Sequence, residues 1–127
     1  MLLHTVGVAR INLSALNFDH SLRHNHRELS DKVVERLRKI FTTEGCLRLD
    51  DENHISAVVD SGVLATALSV AGLGMESLRR GDDGFIPHLI ISSVKCLHGL
   101  HRIAAAKAHL DDNDQWWAVR LYSDGIT

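Results

Sequence analysis

Cysteine is scarce: only Cys46 and Cys96 occur in 127 residues. A disulfide-stapled secreted domain would carry more and would follow a signal peptide. The opening Met1-Leu2-Leu3-His4-Thr5 supplies neither the basic start nor the apolar stretch of such a peptide. No segment approaches the ~18 consecutive apolar residues that span a bilayer, so no membrane partner is expected. An intracellular setting, cytoplasmic or nuclear, is the resulting expectation, with both thiols as small core residues. An excess of one charge is also lacking. The formal net charge of −2 excludes a wholesale polyanion binder and confines any nucleic-acid contact to a local basic patch. No repeat, linker or low-complexity tract divides the chain, and its length is that of one domain.

What is present is an ordinary globular balance, 45% hydrophobic and 24% charged, which is enough for a folded core. Nine histidines make positive charge grow steeply below about pH 6.5. Val6–Leu16 alternates apolar and polar residues and predicts a strand. Asn17–Leu29 has no period and is rich in turn formers, as a loop would be. Ser30 then has the place of an N-cap and Asp31 that of the first helical residue. Val33, Val34, Leu37, Ile40 and Phe41 follow at helical spacing, and Gly45 ends the run.

A polar turn over Asp50–Asn53 leads to a short strand at His54–Val59. Ser61 is positioned to cap a helix from Gly62 to about Leu73, apolar nearly all round and therefore expected to be buried. Gly72 and Gly74 stop it, Met75–Arg80 predicts one more helical turn, and Gly81–Gly84 a loop. Pro87–Leu97 predicts a strand, Gly99–Leu110 an Ala-rich helix and Gln115–Tyr122 a last strand. The order β-α-β-α-β-α-β implies an α/β or α+β domain with a small mixed sheet.

The segment His98-Gly99-Leu100-His101-Arg102 joins a strand directly to a helix. A helix start leaves backbone N–H groups unpaired and carries about half a positive charge from aligned peptide dipoles. Gly99 removes a Cβ where a ligand's oxygens would approach the backbone. His101 and Arg102 fall on the first turn, and the arginine fork suits phosphate or carboxylate. An anion site at Gly99–Arg102 is therefore expected, against the alternative of a plain turn glycine with solvated neighbours.

Several of these features together resemble the ParB/sulfiredoxin-like fold. They are Ile11-Asn12-Leu13, Arg27-Glu28-Leu29, the helix Ser30–Thr43 with Gly45, the strand His54–Val59, Gly99-Leu100-His101-Arg102 and Trp117–Leu121. Asp50-Asp51-Glu52-Asn53-His54 and Cys96–Arg102 are most similar to an uncharacterised fungal family often carried on mobile elements. The resemblance implies one domain over residues 1–127 with a helical insertion at about 60–86. It further implies a nucleotide, ATP or CTP with magnesium, or another phosphorylated small molecule, held by the G-x-H-R turn. His98, Gly99, Leu100, His101 and Arg102 are the implied ligand-binding residues.

Two departures narrow that implication. Leu100 stands where sulfiredoxins carry cysteine, so sulfinic-acid reduction is not expected. No E-N-x-x-R helix follows the last strand before Thr127, so the clamp-type CTP machinery is not expected either. Phosphoryl transfer or nucleotide hydrolysis stays open, and no general base can be named.

The remaining constellations are weaker. Arg23, Arg27, Lys32, Arg36, Arg38 and Lys39 outnumber Glu28, Asp31 and Glu35 over one stretch. Arg27, Lys32 and Arg36 are added to the site on charge and expected proximity, and the same stretch is the candidate nucleic-acid surface. Its alternative is a solvated helix face, and a non-catalytic interaction domain is the third functional reading. Cys96-x-His98-x-x-His101 has metal-ligating residue types, but His101 lies round the turn and a fourth ligand would have to come from elsewhere, such as the loop with His20, His24 and His26, so no metal is assigned. Trp116 and Trp117 face opposite sides of a strand, one of them toward the core. Asp50-Asp51-Glu52 reads as a solvated turn. The oligomeric state is left open, a homodimer included.

Overall fold

A computed structural model describes residues 4–18, 29–79 and 86–123. The described elements are β1 (His4–Asn12), β2 (Leu16–Asn17), α1 (Asp31–Glu44), β3 (Ile55–Val59), α2 (Ser61–Ala71), α3 (Glu76–Arg79), β4 (His88–Leu89), β5 (Val94–Cys96), α4 (Leu100–His109) and β6 (Trp116–Ser123). The fold is mixed α+β, with, among the described residues, a six-stranded sheet in the order β2-β5-β3-β6-β1-β4 and four helices.

The expected strand Val6–Leu16 is broken. A 3-10 turn at Leu13–Ala15 separates β1 from β2. The expected strand Pro87–Leu97 is likewise split into β4 and β5. The two breaks face each other. Arg10 pairs with His88, Ile11 with Leu89, Leu16 with Val94 and Asn17 with Lys95, all parallel and with one constant offset. Both chains bend together at the same level, which curls the sheet. The apolar-polar alternation runs on through both bends, because Leu13, Ala15 and Ile91 stay buried. The sheet's edges, β2 and β4, are two-residue strands, and each continues into or from an interior strand. Little unpaired backbone is left to recruit another strand.

β1 is antiparallel to β6, and the register slips between Thr5 and Gly7. The extra residue explains why the buried positions run Val6, Ala9, Ile11 rather than strictly alternating. Gly7 has φ +147°, and a Cβ there would land on the carbonyl of Leu78 in α3. β3 lies parallel to β6 and antiparallel to β5, so the strand leading to the G-x-H-R turn sits beside β3.

α1 forms as its sequence predicts. The Ser30 hydroxyl accepts from the Val33 N–H, and Gly45 closes the helix with its N–H on the Phe41 carbonyl. Val34, Leu37 and Phe41 supply its packed face. Phe41 meets the rings of Trp117 and His109 at centroid distances of 5.9 and 5.7 Å. α4 buries Ile103, Ala105 and Ala106, and α1 packs along it. The small side chains let the helix sit close to a sheet core of Ile11, Ile55, Ala57, Trp117, Val119 and Leu121.

α2 differs from expectation twice. Its N-cap is Asp60 rather than Ser61, with the carboxylate accepting from the Val63 N–H at 3.0 Å. It is also not buried all round, for only Leu64, Ala67 and Leu68 are covered. The expected loop Gly81–Gly84 lies outside the described residues.

Gly7→Ala forces both an unfavourable φ and a clash with backbone. It should lower the unfolding free energy by roughly 3 kcal/mol or more, measured by urea denaturation. Gly45→Ala, with nothing within 4 Å of the new Cβ, should cost less than Gly7→Ala.

Candidate functional site

The turn that follows β5 is held by backbone groups of β3. The Leu97 N–H donates to the Ser56 carbonyl at 2.9 Å, and the Ser56 N–H donates to His98 Nε2 at 3.0 Å. Residues 97 and 98 thus satisfy both backbone polar groups of Ser56. Gly99 follows at φ +96°, and a Cβ there would come within 2.8 Å of Ile55 Cδ1. The close approach is therefore to the core strand, with glycine required by both the turn and the packing. The first intrahelical bond of α4 runs from the Ile103 N–H to the Gly99 carbonyl. The N–H groups of Leu100, His101 and Arg102 precede it.

His101 and Arg102 are each tied to another element. The Ser30 N–H donates to His101 Nε2 at 2.9 Å, which joins the N-terminus of α1 to the first turn of α4. Arg102 donates through NH1 to the Asn53 carbonyl at 3.3 Å, where the indole N–H of Trp117 also donates at 2.9 Å. Leu100 is half-buried as the first residue of α4. Lys32 and Arg36 are exposed on the first two turns of α1, the helix whose N-cap residue touches His101. Arg27 lies outside the described residues, as do Arg23, His20, His24 and His26.

Residues 4–127 match the family model described as the N-terminal domain of a protein of unknown function, DUF3723. The chain belongs to this family. No curated protein and no solved structure matches the chain.

The electrostatics of the domain follow from burial. Burial, and then the Arg102 guanidinium, lower the pKa of His98 below the usual imidazole range. The ring therefore stays neutral and keeps the lone pair that accepts from Ser56. Burial pushes the Cys96 thiol up to about 12, which leaves it without thiolate character at neutral pH. Among the described residues, no group of three or more His, Cys, Asp or Glu is arranged to hold a metal ion. No helix among them is long and apolar enough to cross a membrane.

A second polar cluster had no signal in the sequence. The Arg48 guanidinium lies 3.5 Å from the centroid of the Trp116 ring and donates through NH2 to both carboxylate oxygens of Asp114. Its NH1 donates to the carbonyls of Asp114 and Trp116. The Arg10 guanidinium lies 5.4 Å from the same ring. Arg48 holds the Asp114 carboxyl below its ordinary pKa. Beside the cluster, a cleft of about 560 Å3 is lined by Asn12, His88, Lys107, Gln115 and Trp116, among others. Residues 48 and 114–116 are far apart in sequence, and no local pattern announces such a contact. His54 was also missed as a buried polar residue: its Nε2 bonds to the Leu49 carbonyl, and its Nδ1 has no partner among the described residues.

Two outcomes follow. Arg48→Ala removes several charge-assisted hydrogen bonds and should cost about 2 kcal/mol in chemical denaturation. His98 and His88 both have folded pKa values lowered first by burial, so the unfolded chain takes up protons before the folded one. Their contribution is complete above about pH 6.5 and is lost as pH falls through the folded values. The melting temperature should drop between pH 7.5 and 5, and His98→Gln should flatten that drop in part.

Proposed function

We propose that the turn Gly99–Arg102 binds the phosphate of a nucleotide or of another phosphorylated small molecule, in a domain of ParB/sulfiredoxin-like kind. The single observation that carries this reading is the hydrogen bond from the Ser30 N–H to His101, because it brings two helix N-termini together. Each contributes about half a positive charge, and the two add where they meet. Arg102 on α4 and Lys32 and Arg36 on α1 increase the same sign, against Asp31 alone in the first turn of α1. Among the described residues Arg102 bonds through NH1 alone, to Asn53, and its other donors are available to a ligand. ATP or CTP with magnesium are the nucleotides the resemblance brings forward. The proposal concerns binding, since no general base can be named among the described residues.

Calorimetric titration with magnesium ATP, CTP and GTP tests it. Arg102→Ala should weaken the observed binding by roughly 10- to 100-fold while leaving the circular dichroism spectrum unchanged. No heat with any nucleotide, together with no amide shift at residues 99–102 in inorganic phosphate, would sink the idea.

One observation favours a second reading, a nucleic-acid-associated module of a fungal mobile-element protein. Lys32, Arg36 and Lys39 recur at helical spacing on the exposed face of α1, and none is ion-paired among the described residues. Three phosphate contacts would give a log–log salt slope of about −2 to −3. Oligonucleotide binding absent at low salt, or indifferent to salt, removes this reading.

A further inference from the structure

None of the chain's 16 acidic residues lies in the six described strands, whereas Arg10, Lys95 and Arg120 do. Side chains alternate between the faces of a sheet, and the register puts all three cations on the same one. Asn17, Lys95, Val58, Tyr122 and Thr5 are paired in one row across five strands. Ser56, Arg120 and Val8 form the next row on that face, and Ala118, Arg10 and His88 the row after it. The opposite face carries Ile55, Trp117, Val119 and Leu121, all buried. α1 meets that buried face through Phe41 on Trp117, and α3 meets it through Leu78 at Gly7. At one end of the charged face, Arg48 lies over Trp116 and the Leu49 carbonyl meets His54. Beyond them Val8, Ser56, Val58, Arg120 and Tyr122 are partly exposed and Lys95 is exposed. The side chains of Lys95 and Arg120 have no hydrogen bond or ion pair among the described residues.

We infer that this face of the sheet binds single-stranded nucleic acid, with a base stacked on Tyr122 and phosphates on Arg120, Lys95 and Arg10. Charge complementarity selects a polyanion, because every fixed charge that the strands carry is positive. The ring selects a polyanion with bases. Trp116 already has Arg48 against it, which leaves Tyr122 as the aromatic side chain of the face without a ring or cation partner among the described residues. Arg120 stands two residues along the same strand, ~7 Å from Tyr122, and Lys95 two strands over, about 10 Å away. The two cations thus flank the ring, as phosphates flank a stacked base. An acidic peptide would neutralise them but offers the ring no flat partner. Shape excludes the interior of a duplex. A row of five strands has four spacings of ~4.8 Å and is about 19 Å wide, against a major groove of ~12 Å. A single strand with splayed bases lies across such a surface without deformation. The inference needs neither the Gly99 turn nor α1, which belong to the opposite face.

Fluorescence anisotropy of labelled oligothymidylate and oligouridylate with the 127-residue chain tests it. Binding should be measurable at low salt and fall with a log–log salt slope of about −2, for three phosphate contacts. Lys95→Gln and Arg120→Gln should each make that slope shallower by about 0.7. Tyr122→Leu should weaken binding by roughly 5- to 100-fold, and Tyr122→Phe should retain it. Circular dichroism and thermal melting check that each variant folds. Should Tyr122→Leu not fold, irradiation of an iodouracil oligonucleotide on the unaltered chain must cross-link to the peptide that contains Tyr122. No binding at low salt overturns the inference, as does binding that these substitutions leave unchanged. Competition by duplex DNA or by polyglutamate as effective as that by a single strand overturns it too. A loss confined to Lys32→Ala, Arg36→Ala and Lys39→Ala would place the nucleic acid on α1 and overturn the assignment to the sheet.

Discussion

Residues 10–17 and 88–95 lie side by side in parallel, and their pairing keeps one offset across a bend in both chains. The other contacts of the domain depend on that match. It sets β5 between β2 and β3, which brings His98 within reach of Ser56 and Gly99 against Ile55. It also leaves β1 free on its other side for β6, whose Trp117 reaches the Asn53 carbonyl used by Arg102. A shift of one residue in the pairing would turn toward solvent either buried Ile11 and Leu16 or buried Leu89 and Val94.

The elements that could be read from sequence are those whose signals are local. α1 announces itself through Ser30, its 3/4 apolar spacing and Gly45, and each has the role its chemistry suggests. β3 and α4 were legible for similar reasons. The bends at Leu13–Ala15 and between β4 and β5 were not, because burial continues through them and the alternation conceals the change of direction. The one-sided burial of α2 was illegible for a different reason. Composition states what a helix needs, and only the fold states what it is given.

At the G-x-H-R turn the sequence located the residues but not their partners. His98, His101 and Arg102 bond to the backbone of Ser56, Ser30 and Asn53. Backbone amides and carbonyls are the same at every residue, so no residue type marks them as recipients. The Arg48–Trp116–Asp114 cluster was hidden by distance along the chain alone. The glycine at 99 was read as room for a ligand. Its nearest neighbour is instead Ile55, so the residue serves packing whatever else the turn does.

The pairing of chain start with chain end has a consequence for how the molecule is made. Among the described residues β1 pairs only with β4 and β6, and β2 only with β5. A ribosome adding roughly 5–20 residues per second therefore holds the first strand without a partner for several seconds. Over that interval α1 and α2, each with its own cap and glycine stop, are able to assume their shape early. The sheet assembles late and nearly at once, when Trp117 and the rest of β6 emerge beside a first strand that has waited for them.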